Sequence, residues 1–88
     1  GADDKKLIDD LSKKVINDFI NEFEKLSSPS RETLEPVIKS LIDKHKTNFK
    51  GVGQPLRIAL VGSRFGPGLY DVILSLDKAE VIKRLKSV

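Results

Sequence analysis

Between Gly62 and Gly68 the chain reads Gly-Ser-Arg-Phe-Gly-Pro-Gly, three glycines and a proline around one arginine and one phenylalanine. Such a stretch exposes backbone. A helix opening at Pro67 would turn unpaired N–H groups and a partial positive charge outward. Arg57 precedes the stretch, Arg64 lies within it, and Leu69 and Tyr70 follow it. A single-stranded nucleobase needs neighbours of this kind: a fork of donors for its edge, accessible backbone for its polar atoms, and an apolar or aromatic face to lie on. Arg57, Arg64, Phe65, Gly66, Leu69 and Tyr70 could supply all three. The same residues have a plainer reading, in which Leu69 and Tyr70 are core and Gly66-Pro67-Gly68 is a turn. A Walker phosphate loop is excluded, because no Gly-Lys-Ser/Thr follows the glycines.

Catalysis finds little to stand on. His45 is the single histidine and there is no cysteine, so a disulfide framework and a thiolate metal site are both excluded. His45 reads as a polar residue at a helix end, and the pairs Asp3-Asp4 and Asp9-Asp10 read as acids near helix starts, where they oppose the helix dipole. No catalytic residue and no metal ligand set is assigned. Charge says more about partners. Residues 1–43 hold seven Lys/Arg against ten Asp/Glu, a net of −3, and residues 44–88 hold nine against three, a net of +6. A basic half beside an acidic half suits a polyanion held by one end; a solvated lysine surface accounts for the same numbers.

No apolar run approaches the roughly 20 residues that span a bilayer, and a cysteine-free chain fits a reducing compartment. Cytoplasm is the expected location. Gly1-Ala2-Asp3-Asp4 lacks the apolar stretch of a signal peptide and reads as an expression scar on a fragment.

The elements that must position these residues are helices. Leu7, Ile8, Leu11, Val15, Phe19, Ile20, Phe23 and Leu26 recur at spacings of three and four, one stripe on a long helix. Part of that stripe is expected to pack on something outside the chain. Ser27-Ser28-Pro29-Ser30 makes a corner. A second helix carries Leu34, Val37, Ile38, Leu41 and Ile42 inward, with Ser30 or Thr33 as its N-cap; Thr33 is preferred, because it keeps Pro36 within the first turn. Gly51-Val52-Gly53-Gln54 reads as a flexible connection. A short helix follows from Pro55 to a left-handed stop at Gly62, then one from Pro67 through Leu76. Asp77 and Glu80 form a capping-box pair, flanked by a Leu76–Val81 staple, at the head of a last helix that turns Lys83, Arg84 and Lys86 outward. The expected fold is all-α: about five helices in a small bundle or superhelical array, one domain over residues 1–88. Residues 1–50 form two longer scaffold helices and residues 51–88 a part built of short helices.

The stretch from Gln54 to Gly62, with Pro55-Leu56-Arg57-Ile58-Ala59-Leu60-Val61-Gly62 inside it, leads to Gly66-Pro67-Gly68-Leu69-Tyr70-Asp71-Val72-Ile73. Lys78-Ala79-Glu80-Val81-Ile82-Lys83-Arg84-Leu85 follows. In this order they resemble the C-terminus of bacterial-type glutamyl-tRNA synthetases, class I enzymes ending in a Pro-Leu-Arg-x-Ala-Leu-Thr-Gly element, a variable turn, a Pro-x-Leu helix start and a helix rich in Lys and Arg. The upstream helices match in length and pattern only. The resemblance implies an anticodon-binding region in which Arg57 contacts a base and Gly66, Pro67 and Leu69 lie against the anticodon, with Arg64 beside them. Lys83, Arg84 and Lys86 become candidate phosphate contacts. Val61 stands where threonine is common, and Arg64-Phe65-Gly66 departs from many relatives.

The family's nucleotide-binding signatures, His-Ile-Gly-His-like and Lys-Met-Ser-Lys-Ser-like, are absent. The resemblance therefore implies a parent that joins L-glutamate to tRNA(Glu) using ATP and Mg2+, and a segment that binds no cofactor itself. Its implied partners are the anticodon loop of tRNA(Glu) and the catalytic portion of the same parent, in a monomer. In the family an upstream subdomain takes part in the choice between tRNA(Glu) alone and tRNA(Glu) with tRNA(Gln). The competing reading is a helical protein-interaction module with a basic surface and no RNA role; salt dependence of RNA binding separates the two.

Overall fold

The computed structural model describes residues 2–88, with side chains from Asp4 onward; Gly1 and the side chains of Ala2 and Asp3 lie outside the described residues. A short 3-10 helix, Ala2–Leu7, is followed by α1 (Asp10–Glu24), α2 (Arg31–Lys44), α3 (Phe49–Val61), α4 (Leu69–Ser75) and α5 (Lys78–Lys86), and no strand occurs among the described residues. The all-α expectation and the five helices hold.

α3 is the hub. It packs on α1, α2, α4, α5 and the 3-10 helix, and its Val52, Leu56, Ala59 and Leu60 join the stripes of the other helices in one core. Phe19 and Phe23, one turn apart on α1, stack there with ring centroids 5.4 Å apart. A division at residue 50 falls inside the first turn of α3, so the two longer helices and the shorter ones share this core.

Five local features differ from expectation, each for a local reason. The first stripe breaks at Asp9, whose carboxylate accepts the Ser12 N–H at 2.8 Å and starts α1 afresh; Leu7 and Leu11 are consequently exposed. α2 is capped by Ser30 rather than Thr33, in a reciprocal arrangement. The Thr33 N–H donates to Ser30 Oγ (3.2 Å) and the Ser30 N–H to Thr33 Oγ1 (2.9 Å), so both hydroxyls are used and Pro36 sits deeper in the helix. The expected flexible connection is helix. Asn48 caps α3 through the Gly51 N–H (2.9 Å), and Pro55 lies buried inside the helix, where it leaves the Gly51 carbonyl without its usual donor. Gly51 and Gly53 serve packing there: a Cβ on Gly51 would collide with the Thr47 side chain, and one on Gly53 would lie 3.2 Å from the Phe49 ring.

Finally, the pair at Asp77 and Glu80 makes no capping box. Asp77 occupies the N-cap position without a side-chain bond, and Glu80 turns to Arg84, Nε to Oε2 2.7 Å. Leu76 and Val81 still face the core. α4 starts at Leu69 with Gly68 as its N-cap, so Pro67 precedes the helix rather than opening it.

Two polar clips tie the bundle. Lys78 Nζ donates to the Glu24 and Leu26 carbonyls, capping the C-terminal end of α1. His45, the C-cap residue of α2, meets Asp18 of α1 at 2.8 Å, with Lys44 Nζ 3.0 Å from the same oxygen. Burial alone would raise the Asp18 carboxyl, but the hydrogen bonds from Lys44 and His45 outweigh it and hold the group below its ordinary value. His45 is thus a structural partner at a helix end. Among the described residues no helix is long and apolar enough to cross a membrane.

Candidate nucleic-acid interface

α3 turns Lys50, Gln54 and Arg57 to one side, at the i, i+4, i+7 spacing of a single helix face. Gly62 then ends the helix in the left-handed conformation (φ 76°), its N–H donating to the Ile58 carbonyl at 2.8 Å, as its type predicts. The chain that follows folds back beside Arg57. Arg57 Nη1 donates to the Arg64 carbonyl at 3.3 Å, the Phe65 N–H to Ser63 Oγ at 3.1 Å, and the Arg64 N–H to Asp4 Oδ2 at 2.9 Å. That last bond holds the Asp4 carboxyl below its ordinary value. It also fastens the 3-10 helix to the turn, a tether invisible in the sequence because its ends lie far apart.

Helix face and turn enclose a cavity of about 380 Å³. Arg57 and Arg64 line it with Lys50, Gln54 and Gly53 and with Phe49 and Phe65; no carboxylate does. Arg57 is half-buried at the helix surface, not sealed in the core. Its Nε–H is buried without a hydrogen-bond partner, and no acid pairs with the guanidinium among the described residues. An acceptor edge entering the cavity would meet a partly desolvated arginine fork, where such bonds are strong.

The other predicted residues are placed as follows. Gly66 (φ 134°) and Pro67 are exposed in the turn, and a Cβ on Gly66 would meet nothing within 4 Å. Its glycine serves backbone conformation, not close packing. Leu69 is only 2% exposed: its side chain belongs to the core, beside Gly53, and only its backbone remains near the turn. Tyr70 is on the α2 side, its ring 6.2 Å from Phe49 and covered by the Arg31 guanidinium at 4.8 Å. Burial and the nearby Glu35 push its hydroxyl pKa up. Neither Leu69 nor Tyr70 lines the Arg57 cavity, so the plainer reading of both side chains describes where they lie.

None of Lys83, Arg84 and Lys86 lines that cavity either. Arg84 is spent on the fold. Its Nη1 donates to the Leu60 carbonyl at the end of α3 (2.9 Å) and its Nε to Glu80, whose carboxyl the bond holds below its ordinary value. Lys86 lies against α1, with Nζ 4.0 Å from Glu24 Oε1. Lys83 is exposed. Sequence reasoning missed Lys50, Gln54 and Phe49 as lining residues, because Phe49 and Lys50 read as the fading end of the second helix and Gln54 as part of a connection; the signal that could have found them is Asn48, a good N-cap three residues before Gly51.

Residues 2–88 match the family model described as the anticodon binding domain. Curated relatives agree. The chain is 56% identical over 82 residues to glutamate–tRNA ligase of Pelagibacter ubique, covering 93% of this chain and 18% of that one. It is 41% identical over 61 residues to glutamate–tRNA ligase 1 of Syntrophus aciditrophicus, covering 69% and 13%. With glutamate–tRNA ligase of Desulfitobacterium hafniense it shares 34% over 71 residues, covering 81% and 14%. The chain thus spans less than a fifth of the length of the curated relatives it matches. No solved structure matches it. With a matching family model over nearly its whole length, and with the all-helical fold its residues build, the chain belongs to the anticodon binding domain family.

Proposed function

We propose that this chain recognises the anticodon of tRNA(Glu) as part of a glutamate–tRNA ligase. The supporting observation is Arg57: a half-buried guanidinium with no carboxylate partner among the described residues, lining a cavity of about 380 Å³ together with Phe49 and Phe65 and with no acid. Gly66 and Pro67 are exposed in the turn that follows Phe65, and Arg64 adds positive charge to the cavity. Of the C-terminal cations, Lys83 is the one best placed to meet a phosphate, since Arg84 and Lys86 pair within the fold.

In this reading the parent joins L-glutamate to its tRNA. ATP and magnesium act in the remaining portion of the parent, and this segment selects the tRNA. The partners are the tRNA anticodon loop and that catalytic portion of the same chain, in a cytoplasmic monomer. The assignment is tested by binding of anticodon hairpins that differ at single loop bases. Arg57→Ala should lose about 1–3 kcal/mol of discrimination between them. Unchanged discrimination in the variant would remove Arg57 from the role.

A further inference from the structure

We propose that Phe65 is a second recognition element of this surface: a platform on which an unpaired nucleobase of the RNA lies flat, next to the nucleotide whose edge meets Arg57. The proposal rests on the anticodon-binding reading above. Phe19 and Phe23 are core residues, and Phe49 and Tyr70 pack on each other. Phe65 alone is left 70% exposed, more than any other large apolar side chain described. Packing gives no reason for a phenylalanine there, since burial of a ring is what stabilises it. The turn nevertheless holds it firmly: its own N–H is bound to Ser63, the Arg64 N–H to Asp4 and the Arg64 carbonyl to Arg57. A ring carried on backbone already held in place is a stacking surface for which no loop need be ordered on binding.

The ring also stands between two cavities, lining both. On one side is the basic cavity of Arg57. Arg64 lines that cavity and sets its guanidinium carbon 5.0 Å from the Phe65 centroid, covering the ring from there. On the other side lies a cavity of about 480 Å³, walled by Val61, Pro67, Val72 and Leu76 with Asp71 and Arg84, the latter already bonded to Glu80 and the Leu60 carbonyl. The Asp71 carboxylate there can accept from a base amino group. Consecutive nucleotides crossing the turn would therefore part around the ring. One base reaches Arg57, the linking phosphate faces Arg64, and the next base stacks on the outer face of Phe65. The basic half of the chain supplies the matching charge, a net of +6 over residues 44–88. Aromatic platforms beside cationic side chains are how unpaired bases are held without reading their sequence.

The test uses the whole chain and an anticodon hairpin of tRNA(Glu) carrying 2-aminopurine at one loop position after another. In the unmodified protein one position should lose fluorescence on binding, as a stacked base does. Phe65→Ala should bind about tenfold more weakly, without that loss and with an unchanged salt slope, because no charge is removed. Phe65→Trp should restore affinity, its indole emission being quenched by the RNA. Since the ring is exposed, both variants should melt like the parent. If Arg57→Ala blunts base discrimination while Phe65→Ala binds as the unmodified chain does, the platform is wrong and the anticodon reading stands. A hairpin that fails to bind, or that binds both variants unchanged, overturns both. Phe65→Ala altering only self-association, as judged by sedimentation, would assign the ring to a copy of the chain and overturn the proposal.

Discussion

Arg57 and Arg84 look alike in the sequence, since each is a cation on the outward side of a helix. Their surroundings separate them. Arg84 bonds to the Leu60 carbonyl and to Glu80, so Arg84→Ala should lower thermal stability by about 1 kcal/mol, after allowance for its partial exposure. Base discrimination at Arg57 should stay near that of the unmodified chain, because Arg84 does not line the Arg57 cavity; calorimetry beside a binding titration checks both. Arg57 has no carboxylate partner among the described residues. Arg57→Lys keeps the charge and loses the fork, so the salt slope of RNA binding should hold while base preference falls. Lys83→Ala should do the reverse, weakening binding evenly across loop sequences and lowering the slope by about one. Sequence pattern can tell that a side chain faces outward, but not whether a carbonyl from another helix has already claimed it.

Element by element, the helices were legible where apolar residues recur at three and four. Leu11 apart, the stripes of α1, α2, α4 and α5 point inward as their spacing predicts, and Gly62 stops α3 in the conformation its type predicts. Punctuation residues were harder. Gly51, Gly53 and Pro55 read as a break, yet they sit within one helix because Asn48 starts it, close packing needs the small residues, and Val52 and Leu56 anchor both sides of the proline in the core. Ser30→Ala should cost about 1 kcal/mol by removing half of the reciprocal cap of α2, measurable as a lower denaturant midpoint. Gly51→Ala should destabilise despite the better helix propensity of alanine, because the new Cβ displaces Thr47 at the cap of α3. Helicity gained with no loss of stability would show that the close contact there is unimportant.

At the scale of the whole molecule, α3 joins recognition to stability: one side fills the core and the opposite side presents Lys50, Gln54 and Arg57. The motif that the sequence resembles marked Arg57 and the turn. It could not show that Leu69 faces inward or that the C-terminal cations lie outside the Arg57 cavity, because both depend on how α4 and α5 dock. The Asp18 clip between α1 and α2 makes stability depend on pH. Its folded carboxyl lies below the ordinary value of 3.8, so the stabilisation is fully present above about that pH and is lost as pH falls through the lower folded value. Asp18→Asn should therefore be less stable than the parent near neutral pH and converge with it in acid, as followed by circular dichroism. Where RNA touches the protein is reported most directly by amide chemical shifts during titration with an anticodon hairpin of tRNA(Glu). Shifts should concentrate from Lys50 to Gln54, at Arg57 and from Ser63 to Gly68, weakening as salt is added; shifts confined to residues 1–40, or none, would contradict recognition at this surface.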